Sequence, residues 1–284
     1  RMILATPELA NSLTARPLTL HHLASHQQAI DVLSEVMEDV AVHGVDAVIA
    51  PEPLTPHPTP VTQEQRELSE RIARRGQPPL QSGFDRARRD DEAYRLAYVD
   101  RLYVDAAVAQ QELNGLAVAL AADQGRPDWR KEPKSRERVL DKLTEYENDA
   151  SKLKDLAGAK VQFDTLDAVY QALGRLAVDP EVVILNIKDR FLDPKESGYR
   201  DILLNLRMSN GHLGELRLHL ASLDDVAEWE HALYEVRRDL EAISESECRP
   251  LTRGERAIRD GLLRQVQSTY WSKVQQSIGE VPPR

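Results

Sequence analysis

A chain of 284 residues, 41% hydrophobic and 30% charged, is long enough for one large or two ordinary domains and can bury a proper core. Its net charge of −10 argues against general affinity for DNA, RNA or an anionic membrane, and no uninterrupted apolar stretch approaches the roughly 18 residues of a membrane helix. The single Cys248 excludes an intrachain disulfide and a cysteine-rich zinc site, and is expected to be a buried small hydrophobe.

In chain order, the first residues, RMILATPELA, lack the pattern of a secretory signal, and Arg1 before Met2 fits a fragment of a longer chain. The location expected is a cytoplasm, its own or one into which the protein is delivered. Leu18 to His43 reads as one helix, with Ile30, Leu33, Met37, Val40 and Ala41 at helical spacing. His21, His22 and His26 have the look of metal ligands, but no glutamate stands beside them as in a metalloprotease, so a metal is not expected there. Prolines 51, 53, 56, 58 and 60 then exclude helix and central strand. The expected organisation is therefore an N-terminal helical segment (1–50), a Pro-rich linker (51–61) and one domain (62–284). That domain opens with a polar helix from Thr62 to Arg75, started by Thr62-x-x-Gln65. A long helix from Asp90 to Ala122 follows, its apolar side read as Leu96, Val99, Leu102, Val104, Val108 and Leu113.

From Arg126 to Lys142 the chain carries seven basic and four acidic residues, either a solvated face or a cradle for a nucleotide. Within it, KSRERVLDKL reads as a helix whose Lys134 and Lys142, eight residues apart, can point the same way. DLAGAKVQFD, from Asp155 to Asp164, alternates as a strand with Val161 and Phe163 on one side and Lys160 and Gln162 on the other. After KDRFLDPKESGYR come two strands that return on each other. In the first, Ile202, Leu204, Leu206 and Met208 alternate against Asp201, Asn205 and Arg207. In the second, Glu215, Arg217 and His219 share one face. A three-residue loop, Asn210-Gly211-His212, would set Arg207 opposite Glu215 and Asn205 opposite Arg217. Helices from about Ser222 to Ser244 and Arg253 to Ser277 close the chain. The fold expected is α+β: a small mixed, partly antiparallel sheet wrapped by helices and preceded by a helical segment.

Two lysines, a strand-opening aspartate, a corner tyrosine and a strand glutamate suit a nucleotide site. Lysines hold phosphates, carboxylates hold a divalent metal, and an aromatic ring stacks a base. At these residues the chain resembles the synthetase domain of the RelA/SpoT family, which transfers pyrophosphate from ATP to the 3′-hydroxyl of a guanine nucleotide. The resemblance rests on KSRERVLDKL, DLAGAKV, KDRFLDPKESGYR, Glu215-Leu216-Arg217, and His231 with Tyr234, and covers roughly residues 125–238. It implies that Asp155 and Glu215 hold Mg²⁺, with Glu215 placed to take the proton of the attacking hydroxyl. It implies also that Lys134, Lys142 and Lys160 bind the donor ATP, and that Tyr199, His231 and Tyr234 serve the acceptor nucleotide. Asn205 and Arg217 would support the polar face.

The departures are Glu132 for an arginine, Arg138 for a serine, Leu203 for a histidine, and Arg217 and His219 for the glutamine and arginine of the family's strand. They suggest a divergent, toxin- or effector-like branch, with an antitoxin, immunity or activator protein as partner. Two alternatives stay open: a fold that has lost catalysis and works as a binding module, and pyrophosphate transfer to an RNA 3′ end.

Overall fold

The computed structural model describes residues 23–122 and 124–278; His21 and His22, and the start of the helix expected from Leu18, lie outside them. By internal packing the chain divides into two compact units. Among the described residues, one comprises those of 23–58, 194–199 and 222–278, and the other those of 59–193 and 200–221. Both units are discontinuous in sequence. No helix among the described residues is long and apolar enough to cross a membrane.

In the first unit, α1 (Gln27–His43) begins after His26, which is extended (φ −129°), so the helix expected from Leu18 is interrupted there. It packs with α2 (Val45–Val48) and α8 (Arg253–Ile278). Gly261 of α8 permits the close approach, since a Cβ there would stand 2.5 Å from Val36 and 3.2 Å from Val48. α7 (Ala221–Ser246) ends in a turn in which Cys248 adopts φ +50° and is exposed, not buried as expected. The chain reversal after the helix, with Arg249 N–H on Ser244 O, turns its side chain outward.

The second unit is built on a five-stranded sheet. Its strands are β1 (Gly125–Trp129), β2 (Ala157–Phe163), β3 (Val183–Asp189), β4 (Ile202–Arg207) and β5 (Leu213–Leu220), in the order β1-β2-β5-β4-β3. Only β2 and β5 are parallel; the other neighbours are antiparallel. The expected mixed, partly antiparallel sheet is present. Its apolar face gathers Val161, Phe163, Leu204, Leu216, Leu218 and Leu220, all fully buried. Two helices, α4 (Glu92–Ala121) and α6 (Leu166–Val178), pack against β2 and β5. α4 buries Tyr98, Val99, Leu102, Ala106, Ala109, Leu113 and Ala117, whereas the expected core residues Val104 and Val108 are 69% and 54% exposed. Alanines let the helix axis lie close to the sheet, so the buried stripe follows the small residues. α3 (Gln63–Arg74) starts with the expected reciprocal capping of Thr62 and Gln65 and packs on β3.

The β4–β5 hairpin differs from expectation by one residue in its loop. The loop is Ser209-Asn210-Gly211, closed by Met208 N–H donating to His212 O at 2.9 Å. Gly211 takes φ +83°, the left-handed position that ends such loops and that glycine occupies without penalty. Ser209 and Asn210 are tied to Glu112 and the Asp105 carbonyl of α4. The shift moves the register by two residues, so Asn205 faces Glu215, Leu203 faces Arg217, and Arg207 faces Leu213. Because the slip is even, every side chain keeps its expected face.

Candidate active site

Lys134, Lys142 and Asp155 meet, though not by the helical spacing expected. Helix α5 (Arg136–Glu145) begins only after Ser135, whose side chain caps Arg138 N–H. Lys134 therefore precedes the helix, its carbonyl held by the Tyr103 hydroxyl at 2.7 Å, while Lys142 lies in the last turn. Both ammonium groups nevertheless bind Asp155 Oδ2. The carboxylate and both lysines are part-buried. Burial pushes the Asp155 carboxyl up, but the two ammonium groups outweigh it and hold the pKa at about 2. Lys134 is lowered by its own burial in spite of Asp155; Lys142 is raised because its bond to Asp155 outweighs burial.

A cleft of about 300 Å³ opens beside this cluster, lined by Asp128, Arg130, Lys134, Asp155, Gly158, Lys160, Glu215 and Arg217 among others. Its floor is the polar face of β2 and β5, where Gly158 neighbours Glu215 and Lys160 neighbours Arg217. Gln110 of α4 fastens the floor: its Oε1 accepts from Gly158 N–H at 2.8 Å and its Nε2 donates to Gly158 O at 3.1 Å. Arg130 Nη1 donates to Asp155 O at 3.0 Å. Lys160 pairs with Asp128 across the β1–β2 register at 3.6 Å.

Glu215 is held by Arg217, two residues on along the same strand face: Nε and Nη2 reach Glu215 Oε1 at 2.8 and 2.7 Å. Behind Arg217 the polar face is closed to water. Asn205 is 1% exposed, with its Oδ1 3.4 Å from Asn186 Nδ2, and Asp201 is fully buried. Two further cations were not singled out from the sequence. Lys154 adjoins Asp155, and its pKa is lowered by burial and by Lys188, while Glu215 and Asp155 oppose the shift. The signal was the Lys-Asp pair at 154–155 and the Lys-Asp pair at 188–189, the second lying inside a motif already noted.

The expected acceptor residues belong to the other unit. Tyr199 is 7% exposed, packs edge-on against Tyr270 with ring centroids 6.1 Å apart, and has Lys195 Nζ 5.2 Å from its ring. His231 and Tyr234 stack on the exposed side of α7, their rings 6.0 Å apart and 16° from parallel.

A divalent ion fits the chemistry of the cleft. Among the described residues no group of three or more histidine, cysteine, aspartate and glutamate side chains gathers as a metal cage. Asp155 and Glu215 supply two carboxylates to one cleft. Magnesium commonly binds with one or two carboxylates and takes its other ligands from phosphates and water.

Fold and cleft together define an α+β protein with clustered lysines and carboxylates on the polar face of a mixed sheet. Residues 131–237 match the family model described as the region found in RelA / SpoT proteins, so this chain is RelA/SpoT-like over that segment. It is 26% identical over 128 residues to the GTP pyrophosphokinase rsh of Brucella melitensis biotype 1, and equally so to that of Brucella ovis. Each match covers 45% of this chain and 16% of the relative. Among solved structures, the Type VI effector Tas1 in complex with its immunity protein aligns at TM-score 0.43 and 22% identity, over 62% of this chain and 95% of that one. The small alarmone synthetase 1 of Bacillus subtilis bound to pppGpp aligns at TM-score 0.46 and 16% identity, over 62% and 93%.

Proposed function

We propose that the protein is a magnesium-dependent nucleotide pyrophosphokinase, transferring pyrophosphate from ATP to a nucleotide 3′-hydroxyl. The observation that carries this reading is the convergence of Lys134 and Lys142 on Asp155 in the same cleft as Glu215. The RelA/SpoT match over residues 131–237 supports it. Transfer of this kind asks for positioning and charge neutralisation and needs no covalent nucleophile from the protein. At rest the cleft neutralises itself, each carboxylate carrying a cation from its own chain. ATP phosphates compete for the two ammonium groups and leave Asp155 open, so the lysines both attract the donor and uncover the carboxylate. Asp155 and Glu215 would hold the magnesium ion, which would neutralise phosphate charge. Glu215 would accept the hydroxyl proton, Lys160 would contact the donor, and Tyr199, His231 and Tyr234 would serve the acceptor.

The departures at Glu132, Arg138, Leu203, Arg217 and His219 support placing the protein among effector-type enzymes. Such an enzyme would act in the cytoplasm that receives it and be met there by an immunity protein. One observation favours a second reading. Arg217 holds Glu215 at 2.7 Å, as a module without catalysis would allow. Incubation with ATP, Mg²⁺ and separate acceptors (guanine nucleotides, adenine nucleotides and tRNA), with labelled product resolved, tests both readings. A 3′-pyrophosphorylated nucleotide is the expected product. ATP binding without any product supports the second reading, and product on tRNA alone moves the acceptor to RNA.

A further inference from the structure

Arg217 touches two carboxylates of different kinds. Toward the cleft it donates from Nε and Nη2 to the part-exposed Glu215; in the other direction its Nη1 lies 3.5 Å from Asp201 Oδ2. Asp201 opens the β4 edge of the polar face and is 0% exposed. Arg190 pairs with its Oδ1, its backbone N–H donates to Asp201 O at 2.8 Å, and His219 Nε2 lies 3.6 Å from its Oδ2. Burial pushes the Asp201 carboxyl up, but His219, Arg190 and Arg217 outweigh it and hold it at about 2. A buried carboxylate that stays ionised is a permanent acceptor. Arg217 is itself part-exposed and shared between the two carboxylates, so a ligand that takes Glu215 leaves its guanidinium to Asp201.

We propose that Asp201 is a positioning residue for the cleft: it receives the Arg217 guanidinium when Glu215 is claimed by a metal–nucleotide complex, and so makes the Arg217–Glu215 pair releasable. The inference rests on the reading of the cleft as a metal–nucleotide site and deepens it. Arg217 already contacts both acceptors, so the exchange needs a rotation of the fork and no movement of the strand. Geometry favours a planar group with several donors here, because a lysine ammonium cannot span both carboxylates in the same way. Without Asp201, the full charge of Arg217 falls on Glu215, and the pair becomes a lock.

The test uses two readouts. In the first, Mn²⁺ binding in the presence of ATP is followed by electron paramagnetic resonance in the wild type, Asp201→Asn, Arg217→Gln and the double variant. Asp201→Asn is expected to weaken Mn²⁺ binding roughly tenfold, about the value of one charge-assisted hydrogen bond, and the double variant to return to the level of Arg217→Gln. Equal weakening in both backgrounds would make Asp201 a structural residue and overturn the proposal. The second readout needs no metal and no turnover: the Arg217 Nε–H signal in nuclear magnetic resonance, assigned by its loss in Arg217→Gln. In Glu215→Ala, which removes the acceptor at 215, it is expected to persist at a shifted position as the fork turns to Asp201, and to be lost to solvent exchange in Glu215→Ala with Asp201→Asn. A signal already lost in Glu215→Ala overturns the proposal, even should Asp201→Asn fail to fold. Absence of Mn²⁺–ATP binding in the wild type, with the shifted signal present in Glu215→Ala, would sink the nucleotide reading and leave the exchange standing.

Discussion

Gly158 and Glu215 are direct register partners across the parallel pair β2–β5, so the residue beside Glu215 on the floor of the cleft has no side chain. A Cβ at Gly158 would lie 3.8 Å from Glu215 O and 3.9 Å from Arg130 Nη2, which is ordinary contact distance. Gly158→Ala is therefore expected to fold with stability within about 1 kcal/mol of the wild type. Gly158→Leu projects three more carbons into the cleft and is expected to weaken ATP binding by roughly tenfold or more. Calorimetric titration with ATP beside a thermal melt separates the two effects, and an unimpaired leucine variant would move the donor elsewhere.

Glu215→Gln removes the proposed proton acceptor and one of the two carboxylates proposed for the metal while preserving shape. Transfer is expected to fall at least about a hundredfold, the contribution typical of general base catalysis, with circular dichroism and melting unchanged. Undiminished turnover in the folded variant refutes the assignment.

Lys134→Ala and Lys142→Ala each leave Asp155 with a single ammonium partner. Each is expected to raise the ATP requirement, and arginine at either place to restore it only in part, because the guanidinium fork is flat and a lysine ammonium is a point charge. Both lysines being mere surface groups would show as unchanged ATP affinity in both variants.

Acid sensitivity follows from two carboxylates. Asp155 and Asp201 are both held at about 2, below the ordinary 3.8, by neighbouring cations that outweigh burial. A lowered carboxylate pKa stabilises the fold above the unfolded value and loses that contribution as pH falls toward the folded one. Each is expected to contribute about 2 kcal/mol at neutral pH, lost between roughly pH 4 and pH 2. Urea midpoints across that window, in the wild type and in Asp155→Asn, measure it; a variant with the same slope against pH excludes Asp155 as the cause.

Tyr199 offers a different contrast. Its ring is buried against Tyr270, so Tyr199→Ala is expected to cost about 3–5 kcal/mol of stability as a large-to-small change. Tyr199→Phe keeps the ring and is expected to retain both the fold and any stacking on an acceptor base. Acceptor titration of the phenylalanine variant is the informative measurement, since a loss there would point to the hydroxyl.

Much of the second unit was legible in the sequence because its determinants are local. Alternation placed β2, β4 and β5 and sorted their faces, Thr62 and Gln65 announced the start of α3, and the Asp155, Glu215 and lysine positions stood out by residue type in ordered motifs. Even the hairpin error kept each side chain on its proper face, because a slip of two residues preserves a period of two. Tertiary structure decided what depends on distant neighbours. It brought Lys134 to Asp155 from outside the helix that was expected to carry it, and it chose alanines over Val104 and Val108 as the buried stripe of α4. It also buried Asp201 and set Arg217 between that carboxylate and Glu215. Spacing along a chain specifies the face on which a charge lies; which opposite charge meets it, and whether water reaches the pair, is settled only when strands separated in sequence close over the same face.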